Sequence, residues 1–298
     1  MTTTATAKPA LPRRLGDYLL LTKPLIVALL LFTTLSAMIV AAGHIPALST
    51  IALSLVGGGL AAGGAGALNQ YLDRELDSKM SRTKGRPLPR GRLRPREGLL
   101  IGLLLSAAGL LVLGFGVNLL SAALALLGIL YYVVLYSMLL KPSTSWNIVI
   151  GGGAGAIPPL VGWAAATGSL SVEAFFLFAQ VFFWTPAHFW ALALLKQAEY
   201  EQAGIPMLPV VRGGRETRRQ ILLYSLQVLA LTAIMPLIGL GGLVFLISSL
   251  LLGLVLVGYA WNLFRSPGNR SAWKMYRYSS MYLAGTFTAL VLDALILG

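Results

Sequence analysis

An all-α bundle of nine membrane-spanning helices is the fold this sequence predicts, on three observations. Of 298 residues, 57% are hydrophobic and 11% charged, against roughly 25% charged in a soluble domain, and the mean hydropathy is +0.78. Uncharged stretches recur along the chain, the first from Pro24 to Gly43, near the roughly 20 residues that cross a hydrocarbon core. The basic residues, finally, fall only in alternate segments between those stretches. Cysteine is absent, which excludes disulfides, thiolate catalysis and cysteine metal sites.

Spans are expected at about 24–43, 48–68, 98–117, 119–140, 147–167, 172–195, 220–239, 241–262 and 278–297. Residues 1–20 are expected to be a disordered cytoplasmic tail, and 21–298 a single transmembrane domain. The opening stretch lacks acids and is not followed by an apolar segment with a cleavage site, so no signal peptide is expected. All 23 Lys and Arg lie before span one or after spans two, four, six and eight. The loops around His44, Asn118, Thr167 and Gly241 carry none. Cytoplasmic loops hold the basic residues of a membrane protein, so the N-terminus is expected in the cytoplasm and the C-terminus outside. The net charge of +13 therefore reads as topology, not as an affinity for nucleic acid.

Three of only ten acids fall within five residues, at Asp73, Glu75 and Asp77, where span two leaves its glycine-rich part. On a helix Asn69, Asp73 and Asp77 share one face, at i, i+4 and i+8. Stacked carboxylates repel, and a hard cation such as Mg²⁺, held by one or two carboxylates plus substrate phosphates, relieves that repulsion. Arg82, Lys84, Arg86 and Arg90 follow closely and could bind the anion. The plain alternative is a solvated, salt-bridged helix end. The neutral Asn69 amide in an apolar register favours a site, because a buried amide needs partners.

Span six ends in a second polar segment. His188 lies about two turns inside its basic end, and ionisable groups at such depth mark function. A structural histidine bonded to a neighbouring span is the rival reading. Pro186 can loosen the helix there. Lys196, Glu199 and Tyr200 stand at the mouth, where they would line a site or merely anchor the helix, Lys196 by snorkelling. The two polar segments are four spans apart, as in a site built between two halves of a bundle.

These stretches resemble the UbiA-type intramembrane prenyltransferases, nearly end to end, and within them the branch that acts on haem. The superfamily is marked by Asn69…Asp73-Arg74-Glu75-Leu76-Asp77, with Leu21-Thr22-Lys23-Pro24 before it and Met80-Ser81-Arg82-Thr83 and Arg86-Pro87-Leu88 after it. Lys141…Thr144…Asn147 and Ala156-Ile157-Pro158-Pro159 also match. Thr185-Pro186-Ala187-His188-Phe189-Trp190 and the stretch from Ala203 to Val211 mark the haem branch.

The resemblance implies a UbiA-like fold and a multi-pass protein of the cell inner membrane, in contact with lipid, with its site facing the cytoplasm. It implies transfer of a farnesyl group from farnesyl diphosphate to a vinyl group of protohaem IX (haem B), giving haem O and diphosphate, with a haem A synthase downstream. Asn69, Asp73 and Asp77 would be catalytic, holding Mg²⁺ and its diphosphate; Arg82, Lys84, Arg86 and Lys141 would bind the diphosphate. His188, Lys196, Glu199 and Tyr200 would bind the acceptor, and His188 is expected to orient the porphyrin. Lys196 and Tyr200 stand where other branches carry a second aspartate pair, so a second carboxylate-bound Mg²⁺ is not implied. Leu25, Pro142, Ser143 and Ala187 also depart from the branch.

Two rivals remain. A relative with an aromatic or quinone-precursor acceptor would share the chemistry, but the haem-branch stretches argue against it. A secondary transporter would explain nine spans but not an Asn/Asp/Asp face beside cations. The Asp-Gly…Ala-Arg arrangement of CDP-alcohol phosphotransferases is absent. Asp293, deep in the last span, is expected to make an interhelical hydrogen bond.

Overall fold

The computed structural model describes residues 11–296, and these are helices and connecting loops without strands. Nine of the helices are long and apolar enough to cross a membrane. In chain order the elements are α1 (Leu11–Leu21), α2 (Pro24–Ala42), α3 (Leu48–Lys79), α4 (Pro95–Gly116) and α5 (Leu119–Ser143). There follow α6 (Asn147–Thr167), α7 (Val172–Leu195), α8 (Gln197–Gln202), α9 (Leu208–Val211), α10 (Gly213–Ile238), α11 (Leu243–Arg265) and α12 (Asn269–Ile296). Leu29, Leu103, Phe115 and Leu254 stand exposed on the bundle's outside, which is where lipid replaces water as the solvent.

Two expectations need correction. Of the tail expected over 1–20, residues 1–10 lie outside the described residues, but from Leu11 the chain is helical. The physical reason is polar docking: Arg14 and Tyr18 both donate to Glu97 Oε1, at 2.9 and 2.8 Å, and Arg92 donates to the buried Asp17 at 2.8 Å. Helices α3, α10 and α12 also run past the expected spans, to Lys79 and from Gly213 and Asn269. An apolar window reads the thickness of the membrane, whereas a helix continues into water wherever side chains still support it.

Close helix contact in lipid needs small residues, since apolar side chains gain nothing by leaving lipid tails. The α3–α4 pair shows this. A Cβ on Gly64 would lie within 2.8 Å of the Gly102 carbonyl, and one on Gly109 would lie 2.6 Å from the Gly57 carbonyl. In the second half, fully buried Gln180, Thr232 and Tyr282 bond to one another and tie α7, α10 and α12 together. Asp293 caps α11: its carboxylate accepts from the backbone N–H of Gly242 and, at 3.0 Å, of Phe245. The interhelical bond expected of it therefore goes to the free donors of a helix N-terminus.

Candidate functional site

Asn69, Asp73 and Asp77 line one face of α3, only 3–5% exposed. A buried carboxylate needs a counter-charge, and each has one. Lys141 Nζ donates to Asp73 Oδ2 and Arg86 Nη1 to Asp77 Oδ2, both at 2.6 Å. Asn69 Nδ2 donates to Asp73 Oδ2 at 2.9 Å and to Ser137 Oγ at 2.8 Å. Lys23 Nζ donates to Asn69 Oδ1 and, at 3.0 Å, to the Tyr132 hydroxyl. The structure thus brings together Asn69, Asp73, Asp77, Arg86 and Lys141, all expected from sequence. It adds Lys23, Tyr132 and Ser137.

The geometry of α5 explains the additions. Tyr131–Leu140 is a π-helix, a rare, wider winding frequent at functional sites. Its spacing puts Tyr132, Ser137 and Lys141 on one face, turned toward α3, and Ser137 Oγ donates five residues back to the Tyr132 carbonyl at 2.8 Å. Lys23 reaches the site because it sits between α1 and α2 with φ 56° and ψ 60°, the one non-glycine residue with positive φ among those described. A left-handed lysine costs about 1–3 kcal/mol. Burial, and then the Arg86 charge, push its ammonium down to about 7. A lone Lys-Pro pair announces none of this.

Asp73 Oδ1 and Asp77 Oδ1 accept no hydrogen bond from the described residues, yet are not sealed from access. Two carboxylate oxygens free on adjacent turns fit a hard cation, with the Asn69 carbonyl oxygen a further ligand once Lys23 releases it. Mg²⁺ with a diphosphate would add net charge that Lys23, Arg86 and Lys141 balance. Among the described residues no group of three or more His, Cys, Asp or Glu gathers to hold a metal, so this face offers two carboxylates and one amide.

From Lys23 and Tyr132 an apolar cleft of about 180 Å³ runs between α2, α3, α5 and α6, past Ile26, Leu30, Ala61 and Gly58. Its small-residue wall is the glycine-rich part of α3. The acid face therefore sits at the polar end of a greasy slot.

The second segment is chemically different. His188 Nδ1 lies 2.7 Å from Ser279 Oγ, and the imidazole is stacked between Trp184 and Tyr276, at centroid distances of 4.4 and 4.7 Å. Pro186 is accommodated inside a continuous α7. Glu199 turns toward the first segment: it accepts from Lys196 Nζ at 2.8 Å, from Ser81 N at 3.0 Å and from Ser81 Oγ at 2.7 Å. These bonds, Lys196 foremost, hold its carboxyl down to about 2. Tyr200 is buried, which raises its phenol, and the Arg82 charge pulls it partly back. Lys84 stands exposed on the 80–94 segment, as does Arg82. Leu76 and Met80 from the acid end share one apolar cluster with Tyr136, Trp184, Tyr200 and Tyr276, so both segments border the same core.

A membrane bundle with paired acids and cations closing an apolar slot defines a class, and comparison with known proteins agrees with it. Residues 30–285 match the UbiA prenyltransferase family, and the chain belongs to that family. It is 48% identical over 285 residues to a protohaem IX farnesyltransferase of Roseiflexus sp. (strain RS-1), covering 96% of this chain and 53% of that protein. The chain spans about half the length of the first such relatives. It is 49% identical over 279 residues to a protohaem IX farnesyltransferase of Symbiobacterium thermophilum, with 93% of each covered. A solved UbiA homologue from Archaeoglobus fulgidus, bound to DMAPP and Mg²⁺, shares the fold with a TM-score of 0.65 at 18% identity, over 92% of this chain and 99% of that one.

Proposed function

We propose that the protein transfers the farnesyl group of farnesyl diphosphate to a vinyl group of protohaem IX, releasing diphosphate and forming haem O after water adds. The carrying observation is the Asn69–Asp73–Asp77 face, ringed by Lys23, Arg86 and Lys141, at the polar end of the apolar cleft. The relatives named above supply the donor and acceptor. In this reading the cleft takes the prenyl chain and excludes water, so that the allylic cation is not quenched. Asn69, Asp73 and Asp77 would hold Mg²⁺, which when bound neutralises charge on the diphosphate oxygens. Arg86 and Lys141 add fixed positive charge where the departing diphosphate accumulates negative charge, and Lys23 adds to it when protonated, while Arg82 and Lys84 guide it at the rim. His188 and its aromatic neighbours face the acceptor. Lys196, Glu199 and Tyr200 frame the mouth, with Glu199 fastening it to Ser81. The basic end of the bundle lies in the cytoplasm of an inner membrane, from which the product passes to a haem A synthase.

The test offers purified protein farnesyl diphosphate and Mg²⁺ with either protohaem IX or an aromatic acid, and weighs the products. A hydroxyethylfarnesyl haem that requires Mg²⁺ is expected. Product on the aromatic acid alone would replace the acceptor, and Mg²⁺-independent flux of solute without product would replace the enzyme with a transporter.

A further inference from the structure

A single serine on α12 stands behind the His188 imidazole, on its Nδ1 side. Ser279 is fully buried, and its hydroxyl lies 2.8 Å from the Tyr276 carbonyl oxygen and 2.7 Å from His188 Nδ1. A hydroxyl has one proton. A carbonyl oxygen can only accept, so both contacts are satisfied when Ser279 Oγ donates to Tyr276 and accepts from His188 Nδ1–H. The imidazole is then the Nδ1–H tautomer, with its lone pair on Nε2. Nε2 has no hydrogen-bond partner among the described residues and is not sealed by packing. The ring plane is held from both sides. Trp184 and Tyr276 stack on its two faces, and the Trp184 indole N–H is itself fixed to the Ser279 backbone carbonyl at 2.7 Å.

We infer that His188 Nε2 is the axial ligand to the iron of the haem acceptor, and that Ser279 is the positioning residue that fixes its tautomer and direction. This rests on the acceptor proposed above. A neutral imidazole whose other nitrogen donates to an oxygen is the usual form of a metal-ligating histidine, and the outer partner orients the ring and raises its basicity. Here the outer partner is a hydroxyl whose own proton is taken by a carbonyl. It resists rearrangement because moving that proton to His188 would leave the Tyr276 contact between two lone pairs.

The experiment uses the full-length protein in detergent, titrated with ferric haem and, separately, with metal-free protoporphyrin. Absorption spectra report histidine–iron ligation. Removing an outer-shell partner typically weakens metal binding about 10–100-fold, so Ser279→Ala should weaken haem binding about 10-fold and shift the haem spectrum. It keeps the backbone carbonyl that holds Trp184, and should leave metal-free protoporphyrin binding unchanged. Ser279→Thr retains the hydroxyl and should restore haem binding. His188→Gly should lose the ligation spectrum and regain it with added imidazole. Equal weakening toward both porphyrins in Ser279→Ala, or an unaltered haem spectrum in His188→Gly, would overturn the inference. Product analysis of the parent protein separates the two questions: absence of farnesylated haem tells against the proposed function, while the spectra alone decide the ligand.

Discussion

The two polar segments face one core from opposite halves of the chain, and they solve different problems. At the end of α3, charge is matched by charge: Asp73 with Lys141, Asp77 with Arg86, both at 2.6 Å. Around His188 on α7 there is no ion pair among the described residues; a hydroxyl and two aromatic rings set one ring in place. An anion and its cation need counter-charges that can exchange partners when ligand arrives. A flat, largely apolar acceptor needs stacking surfaces and one directed lone pair. In the proposed function diphosphate belongs to the first segment and acceptor to the second, and that division can be broken by experiments that ask each segment for only one of these tasks.

The largest effect should come from the carboxylates. Asp73→Asn or Asp77→Asn is expected to lower turnover about 10³-fold, the upper range for loss of one electrostatic stabiliser in a dry site. Haem binding should survive in both variants, because His188 and its neighbours are untouched. Rates by product mass and binding by haem titration check the two halves separately. Turnover that survives the change, or haem binding that falls with it, would erase the division between segments.

A smaller effect, and a sharper one, concerns the cleft. Gly58 lines it eleven residues before Asn69, about 16 Å along a helix at about 1.5 Å per residue. A Cβ there would meet only Leu31, at 3.6 Å, so a larger side chain can be added and would project into the cleft's far end. Gly58→Leu is expected to raise KM for farnesyl diphosphate about 10-fold while sparing geranyl diphosphate, since about 1–3 kcal/mol separates substrates by a hydrophobic pocket. Equal loss with both donors would mean the chain lies elsewhere.

Much of this was legible in sequence because membrane proteins write their constraints coarsely. Apolar length gave the nine spans, and the i, i+4, i+8 pattern gave the acid face, since a helix leaving lipid keeps its register into water. Tyr132 and Ser137 were not legible: their facing depends on a π-helical turn, and reading 3.6 residues per turn through 131–140 points them elsewhere. Lys23 depends on one left-handed residue between two helices. Ser279 looked like an ordinary small residue in a span, and its role appears only where α12 packs on α7. The contact of Glu199 with Ser81 was not legible either, because the 80–94 segment folds back to meet it and no periodicity reports such contacts.

That Glu199 contact gives the smallest prediction, and one that separates fastening from chemistry. The carboxylate joins Lys196 to both the backbone and hydroxyl of Ser81. Its folded pKa of about 2 lies below its ordinary value of 4.5. A depressed carboxylate stabilises the fold fully above its unfolded pKa, and that stabilisation fades as pH falls through the folded value. The latch is therefore constant across neutral pH and weakens only between about pH 4.5 and 2. Both partners are partly solvent-exposed, at 33% and 21%, which limits the pair to about 0–1 kcal/mol and makes it sensitive to salt. Glu199→Gln keeps the shape and one of the two acceptor oxygens facing Ser81 while removing the charge. It should raise KM for the donor no more than a few-fold, leave kcat unchanged, and abolish the part of the salt dependence that belongs to this pair, read from initial rates at low and high ionic strength. A fall in kcat comparable to that of Asp73→Asn would instead place Glu199 at the reacting groups, and the mouth of the second segment would then share the chemistry of the first.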